Sequence, residues 1–216
     1  MATRVGAWEA RDSSPLSPRK EYMKQKKPRL VALATPLAAL ALLAALVVPN
    51  LATAESTTAI PGEAVTTIEI KLEGKKLGFV GPSTVHEGEE LRIVNDTKPS
   101  QVGPHTFSLV TQSSLPKTAK ARKSCFTPAH ICLSIAEWHH FNPKTEKVGK
   151  PEVEVGPEGW STMGSLKKEG DSWFIEKAGA ETDRKVTAKA GTTLYFMCAV
   201  HPWMQGKVKV LPSVVY

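Results

Sequence analysis

Thr193-Leu-Tyr-Phe-Met-Cys-Ala-Val-His-Pro-Trp-Met-Gln-Gly-Lys-Val-Lys-Val210 reads as two strands joined by a short loop. Leu194, Phe196 and Cys198 alternate onto one face, while Thr193 and Tyr195 point the other way. After the loop, Val208 and Val210 alternate with Lys207 and Lys209, and Gly206 is expected to let the chain turn back. Between the strands sits Cys198-x2-His201-x2-Met204, so one rigid base delivers a thiolate, an imidazole and a thioether to the same place.

Those donor types belong together chemically. A thiolate, imidazole nitrogens and a weak axial thioether suit both oxidation states of copper. One loop supplies a single imidazole, so a second must come from elsewhere in the chain. At this composition the spacing is expected by chance about 0.002 times, against the alternative of a buried cysteine beside an unrelated His and Met.

The segment 198–206 resembles the copper loop of the cupredoxins, the small blue copper proteins. Its short Cys-x2-His-Pro-x-Met form is most similar to the amicyanin type; plastocyanin-type loops place two more residues between His and Met. The resemblance runs from about residue 65 to the C-terminus and is dense only in the tail and around His105. It implies an all-β, Greek-key β-sandwich holding one type 1 copper ion.

The upstream stretch Asn95-Asp-Thr-Lys-Pro-Ser-Gln-Val-Gly-Pro-His105-Thr-Phe-Ser-Leu-Val110 supplies the candidate second imidazole. His105, Phe107 and Leu109 alternate onto one face, which puts the imidazole on the core side at a strand's start. Cupredoxins bring in their upstream histidine this way, so the implied metal set is His105, Cys198, His201 and Met204. Many relatives have Asn directly after this His. Here Thr106 follows, so its hydroxyl, or Asn95, is expected to support the site.

The charge distribution excludes one function class. The chain carries a formal net charge of +7, but residues 1–54 hold 8 basic and 3 acidic residues, leaving 20 and 18 in 55–216. The basicity belongs to the leader, and no concentrated basic face is expected to bind nucleic acid. Residues 30–48 are uncharged and mostly Ala, Leu and Val, follow Lys24, Lys26, Lys27 and Arg29, and precede Ala52-Thr53-Ala54. Those are the parts of a secretory signal, with cleavage expected after Ala54; an uncleaved membrane anchor is the alternative. The polar segment before Met23 lacks periodicity, and Met23 itself opens a compact basic n-region, so the start lies at Met1 or Met23. A linker over 55–64 then leads into a domain over 65–216, exported to the periplasm, to the outside, or to the outer face of the cytoplasmic membrane.

Strand patterns succeed one another through that domain. Thr66, Ile68, Ile70 and Leu72 share a face; residues 77–80 and 91–94 follow as short strands between Gly-containing turns. Val153, Val155 and Trp160, then residues 173–175, look like further strands, and Val186, Ala188 and Ala190 lead into the copper strand. His105 and Cys198 are separated by 92 residues, more than small blue copper proteins need, which marks an inserted region at about 111–163. It holds Cys125 and Cys132. Three cysteines in an exported protein read best as one disulfide, Cys125–Cys132, plus the thiol of Cys198; the alternative is a metal held by that pair with His130. His139 and His140 are expected to be exposed, with a second copper or zinc site from His130, His139 and His140 as the alternative. His86, near three glutamates, is expected to be solvated.

No nucleophile elbow, phosphate-binding glycine loop or His-Glu-x-x-His helix is present, so an enzyme is not expected. The resemblance implies one-electron transfer between redox proteins of the cell envelope, by a monomer whose partners dock near His201, Pro202 and Trp203. A copper-handling module for storage, delivery or sensing is the alternative from the same residues.

Overall fold

The structure is a computed structural model that describes residues 65–214; the leader, its cleavage site and the linker lie outside the described residues. Ten strands form two sheets. In chain order they are β1 (Val65–Glu73), β2 (Lys76–Val80), β3 (Thr84–His86), β4 (Glu90–Asp96), β5 (His105–Val110), β6 (Glu152–Val153), β7 (Ser172–Ile175), β8 (Glu181–Lys185), β9 (Thr193–Met197) and β10 (Gln205–Leu211). Three short helices, α1 (Pro99–Val102), α2 (Ala119–Lys123) and α3 (Ile131–Trp138), sit between strands.

One sheet runs β2-β1-β4-β8 and the other β3-β10-β9-β5-β7-β6. Alternation in the sequence becomes a shared core: Ile68, Ile70, Leu91 and Ile93 of the first sheet meet Phe107, Leu109, Leu194, Phe196, Val208 and Val210 of the second. Each such side chain contributes about 1.5–3 kcal/mol on burial. Trp160 lies among them, bonded through its indole N–H to the Leu91 carbonyl at 3.2 Å. This is the β-sandwich of cupredoxin type that the sequence implies. The chain crosses between sheets from β2 to β3 to β4 to β5 and again from β7 to β8 to β9.

The inserted region is more than a loop. Its α3 residues Ile131, Cys132 and Ile135, with Trp138, Cys125 and Val153, pack on Val110, Met197 and Ala199 as a second hydrophobic cluster. The outer face of β5 is thereby covered, and all six of its residues are buried rather than every other one. Cys125 and Cys132 form the expected disulfide, so neither holds a metal.

The structure adds to some expectations from the sequence and corrects others. Strand β8, Glu-Thr-Asp-Arg-Lys, carries no apolar alternation because it is a sheet edge, where charged side chains face water and discourage further pairing. Val155 lies outside the regular strands, and Trp160 makes only an isolated bridge to Val186. Gly206 is no turn residue: it pairs with Phe196 inside β10, and a Cβ there would strike the Phe196 ring. His86 is half-buried, with its Nδ1 2.6 Å from the Pro212 carbonyl. His139 is buried, while His140 is exposed.

Candidate metal centre

The loop after β9 is closed by its own backbone. The Met204 N–H donates to the His201 carbonyl at 2.8 Å, and the Cys198 N–H donates to the Met204 carbonyl at 3.0 Å. Gln205 stitches the loop further, donating from Nε2 to the Pro202 carbonyl at 2.7 Å and to the Pro116 carbonyl at 3.0 Å. Cys198, His201 and Met204 are all buried as a result.

β5 and β9 are hydrogen-bonded neighbours, which brings the start of one beside the end of the other across 92 residues of sequence. His105, Cys198 and His201 converge there, their donor atoms all within 4.8 Å of one another. His201 Nδ1 lies 3.6 Å from Cys198 Sγ. A first-row metal bound about 2.05 Å from a nitrogen and about 2.3 Å from a sulfur in trigonal geometry would hold those atoms roughly 3.8 Å apart. The spacing therefore fits a single ion.

Proton counting settles the tautomer of His105. Thr97 donates its hydroxyl hydrogen to Asn95 Oδ1 at 2.6 Å, so its oxygen can only accept from His105 Nε2–H at 3.0 Å. Nδ1 then carries a lone pair, and it is fully buried without any hydrogen-bond partner. A buried imidazole nitrogen left unpaired is costly unless something else takes the lone pair. Asn95 is itself fixed by the Thr97 N–H at 3.2 Å and by donating to the Lys177 carbonyl at 2.9 Å. The loop Asn95-Asp-Thr97 thus orients His105. The sequence pointed to Asn95; Thr97 was missed, and only its place in an Asx-type turn ahead of His105 could have signalled it.

Thr106 supports the sulfur. Its backbone N–H donates to Cys198 Sγ at 3.3 Å, and its Oγ1 accepts the Ala199 N–H at 2.8 Å. Behind it runs a buried hydrogen-bonded chain: Thr106 to Ser108 at 3.0 Å, Ser108 to Ser172 at 2.6 Å, and Ser172 to His139 Nε2 at 2.8 Å. His139 Nδ1 closes it by donating to the Lys150 carbonyl at 2.6 Å. His139 is therefore a structural residue and not a metal ligand. His130 is likewise occupied, its ring nitrogens within bonding distance of Thr127 and Ser124 hydroxyls. Among the described residues, His130, His139 and His140 form no second metal cluster.

Burial dominates the electrostatics. It pushes the Cys198 thiol up to about 11, against the opposing pull of nearby backbone N–H donors, of which Thr106 is first. It pulls His105 down to about 3, with His201 adding to the effect, and lowers His201 as well. The metal-free site thus holds neutral donors. A cation entering it must displace the thiol proton, and a thiolate in so dry a place is stable only with the cation bound.

No family model and no curated protein matches the chain. Among solved structures it is similar to a purple cupredoxin from Nitrosopumilus maritimus, at 13% identity over 67% of this chain and 97% of that one, TM-score 0.33. It is also similar to auracyanin from Roseiflexus castenholzii, at 16% identity over 68% and 97%, TM-score 0.34. A third likeness is to auracyanin A, a "blue" copper protein of Chloroflexus aurantiacus, at 16% identity over 68% and 98%, TM-score 0.36. By its strand order, by the position of His105 at the head of β5 and by the donor loop after β9, the chain has the β-sandwich architecture that its sequence resemblance implies, and its donors fit one type 1 copper.

Proposed function

We propose that this domain carries single electrons between redox proteins of the cell envelope through one type 1 copper ion. Cys198 would supply the thiolate, His105 and His201 the imidazoles, and Met204 the weak axial thioether. The observation that carries the reading is the buried, unpartnered Nδ1 of His105, held by Thr97 beside the thiol of Cys198 and the ring of His201. Copper bound there supplies the reversible one-electron step.

The residues do the rest by holding still. His105 is pinned through Thr97, Cys198 through Thr106, and the loop through Met204 and Gln205. Donors that do not move between oxidation states keep the reorganisation cost of electron transfer small. The same burial argues against a storage or delivery role, since the closed loop would have to open to release the ion. His201 is the port: the exposed indole of Trp203 lies edge-on to its ring at 5.1 Å, and Pro202 joins the two.

Copper-loaded protein should show a strong visible band from thiolate-to-copper charge transfer and cycle reversibly at an electrode. Cys198→Ser should lose the band and stay folded. A colourless protein with full copper occupancy refutes the site; a coloured protein that does not cycle but yields copper readily to a chelator refutes the transfer role in favour of copper handling.

A further inference from the structure

Cations of the described residues are paired with carboxylates at some positions and not at others, Lys75, Lys76, Lys144, Lys207 and Lys209 being among the latter. Lys71, Arg92, Arg184 and Lys189 are all paired with carboxylates. Lys98, Lys117, Lys120, Arg122 and Lys123 are exposed and take part in no ion pair among the described residues. Their isolation is built into the sequence: residues 97–136 contain these five basic residues and no Asp or Glu, and no acid follows Asp183. Residues 97–136 and the donor loop therefore supply no carboxylate, and the exposed Glu176, which follows the Ile175 paired with His105, lies on the β7 side of the site.

The fold brings the group to the port from both sides. On one flank, the Pro116 carbonyl accepts from Gln205 Nε2 at 3.0 Å and from Arg122 Nε at 3.1 Å. Gln205 also holds the Pro202 carbonyl, so the Arg122 guanidinium and Lys117 lie against the loop that carries His201 and Trp203. Arg122 donates to the Lys117 carbonyl as well, at 3.3 Å, tying this basic turn together. On the other flank Lys98 caps α1, next to the Thr97 that holds His105, and α1 ends at Val102, whose backbone faces His201. Gly103 makes that approach possible: its φ of 81° turns the chain out of α1 toward His105. The nearest acid in sequence, Asp96, is engaged by Lys71 at 3.6 Å.

An exposed apolar indole with an unpaired cationic rim is a surface for an oppositely charged partner. The apolar centre excludes water at contact, while the rim steers and orients the encounter. We infer that the copper end docks a redox protein that displays carboxylates around its own redox centre. This rests on the electron-transfer reading and adds to it the partner's charge. Five cations split between two flanks are too few to line a nucleic-acid groove, and an anionic membrane would bury Trp203 and block the port.

Two double variants with equal change in net charge test it. Lys117→Glu/Lys120→Glu reverses the rim and spares Arg122, whose backbone bonds hold the turn. Lys189→Glu/Lys209→Glu is remote, since Lys209 pairs with Thr193 at the start of β9 and Lys189 meets Glu87 just after β3, at the end of the sandwich opposite the donor loop. Oxidation of the reduced copper protein by the hexacyanoferrate(III) anion should slow about tenfold at low ionic strength in the rim variant. Oxidation by the tris(phenanthroline)cobalt(III) cation should speed up in the same variant. Both effects should fade at high salt, and the remote variant should stay within about twofold of the parent. Equal effects in both variants, or none in either, overturn the proposal.

A second arm needs no electron transfer, so it separates this inference from the function reading. Titration of the copper protein with an oligoglutamate peptide should shift amide resonances around Trp203 and Lys117, and not in the rim variant. Shifts scattered over the domain overturn the inference. Preferential binding to phosphatidylglycerol vesicles, with Trp203 buried in them, overturns it in favour of a membrane surface.

Discussion

Thr106 holds Cys198 from two directions: its N–H reaches the sulfur at 3.3 Å, while its hydroxyl fixes the N–H of Ala199, the next residue along, at 2.8 Å. One residue thus sets both the donor on the thiolate and the backbone that aims it. Thr106→Val keeps the first bond, which is backbone, and removes the second. The buried Ala199 N–H would lose its partner, at a cost of about 1–3 kcal/mol. Denaturant unfolding should show that loss, while the visible band persists with a shift in position. Unchanged stability would mean the Ala199 N–H finds another acceptor.

Met204 makes a softer prediction. It is buried beside Cys198 in the core cluster, so Met204→Leu conserves packing while removing the thioether. Copper and colour should stay, and the reduction potential should rise, because loss of a donor disfavours the oxidised ion. Voltammetry of the parent and variant decides it. Loss of copper altogether would make Met204 a strong ligand rather than an axial one.

His105→Gly should open a copper position that added imidazole can fill, restoring the visible band. Thr97 remains to accept the Nε2–H of the added ring, so rescue should weaken in a Thr97→Val background. The same substitution at His86, His130 or His140 should leave the band unchanged. A band that survives the loss of His105 moves the second imidazole elsewhere.

Acid sensitivity should trace in part to His139. Burial lowers its folded-state value to about 4, against an ordinary value near 6.5. Between those values the unfolded chain binds a proton that the folded one refuses, so stability is full above about pH 6.5 and falls as pH drops toward 4. The loss is on the order of 3 kcal/mol. Copper-free protein unfolded by denaturant across this window should show it, and His139→Gln should flatten the slope. An equal slope in both proteins would assign the effect to other groups.

The disulfide closes a loop with a sequence separation of 7, between α2 and α3. Replacing both cysteines by Ala should cost roughly 2–3 kcal/mol, a loop-closure figure for so short a span. Copper binding should persist, because the cluster holding the disulfide reaches the donor loop through Met197 and Ala199 and supplies none of the donors. Thermal unfolding with and without copper measures both. Loss of the band in this variant would show that the inserted layer holds the copper strand in place.

The donor loop was legible in the sequence because its chemistry is local. Cys198, His201 and Met204 lie within seven residues, and a strand phase on either side sets where each side chain points. His105 was legible through phase as well, since its alternation with Phe107 and Leu109 put it on the core side. What neighbours it across 92 residues could not be read, because β5–β9 pairing is a long-range choice made by the whole core. Tertiary structure alone decided the partners of these residues: Thr97 on His105, Gln205 between Pro202 and Pro116, and the hydroxyl chain from Thr106 to His139. His139 looked exposed beside His140 because a sequence does not tell which of two adjacent polar residues a neighbouring layer will cover. Strand β8 was invisible for the complementary reason. An edge strand buries little, so its residues are chosen for water and for ion pairs such as Arg92–Asp183, and no apolar period is left to see.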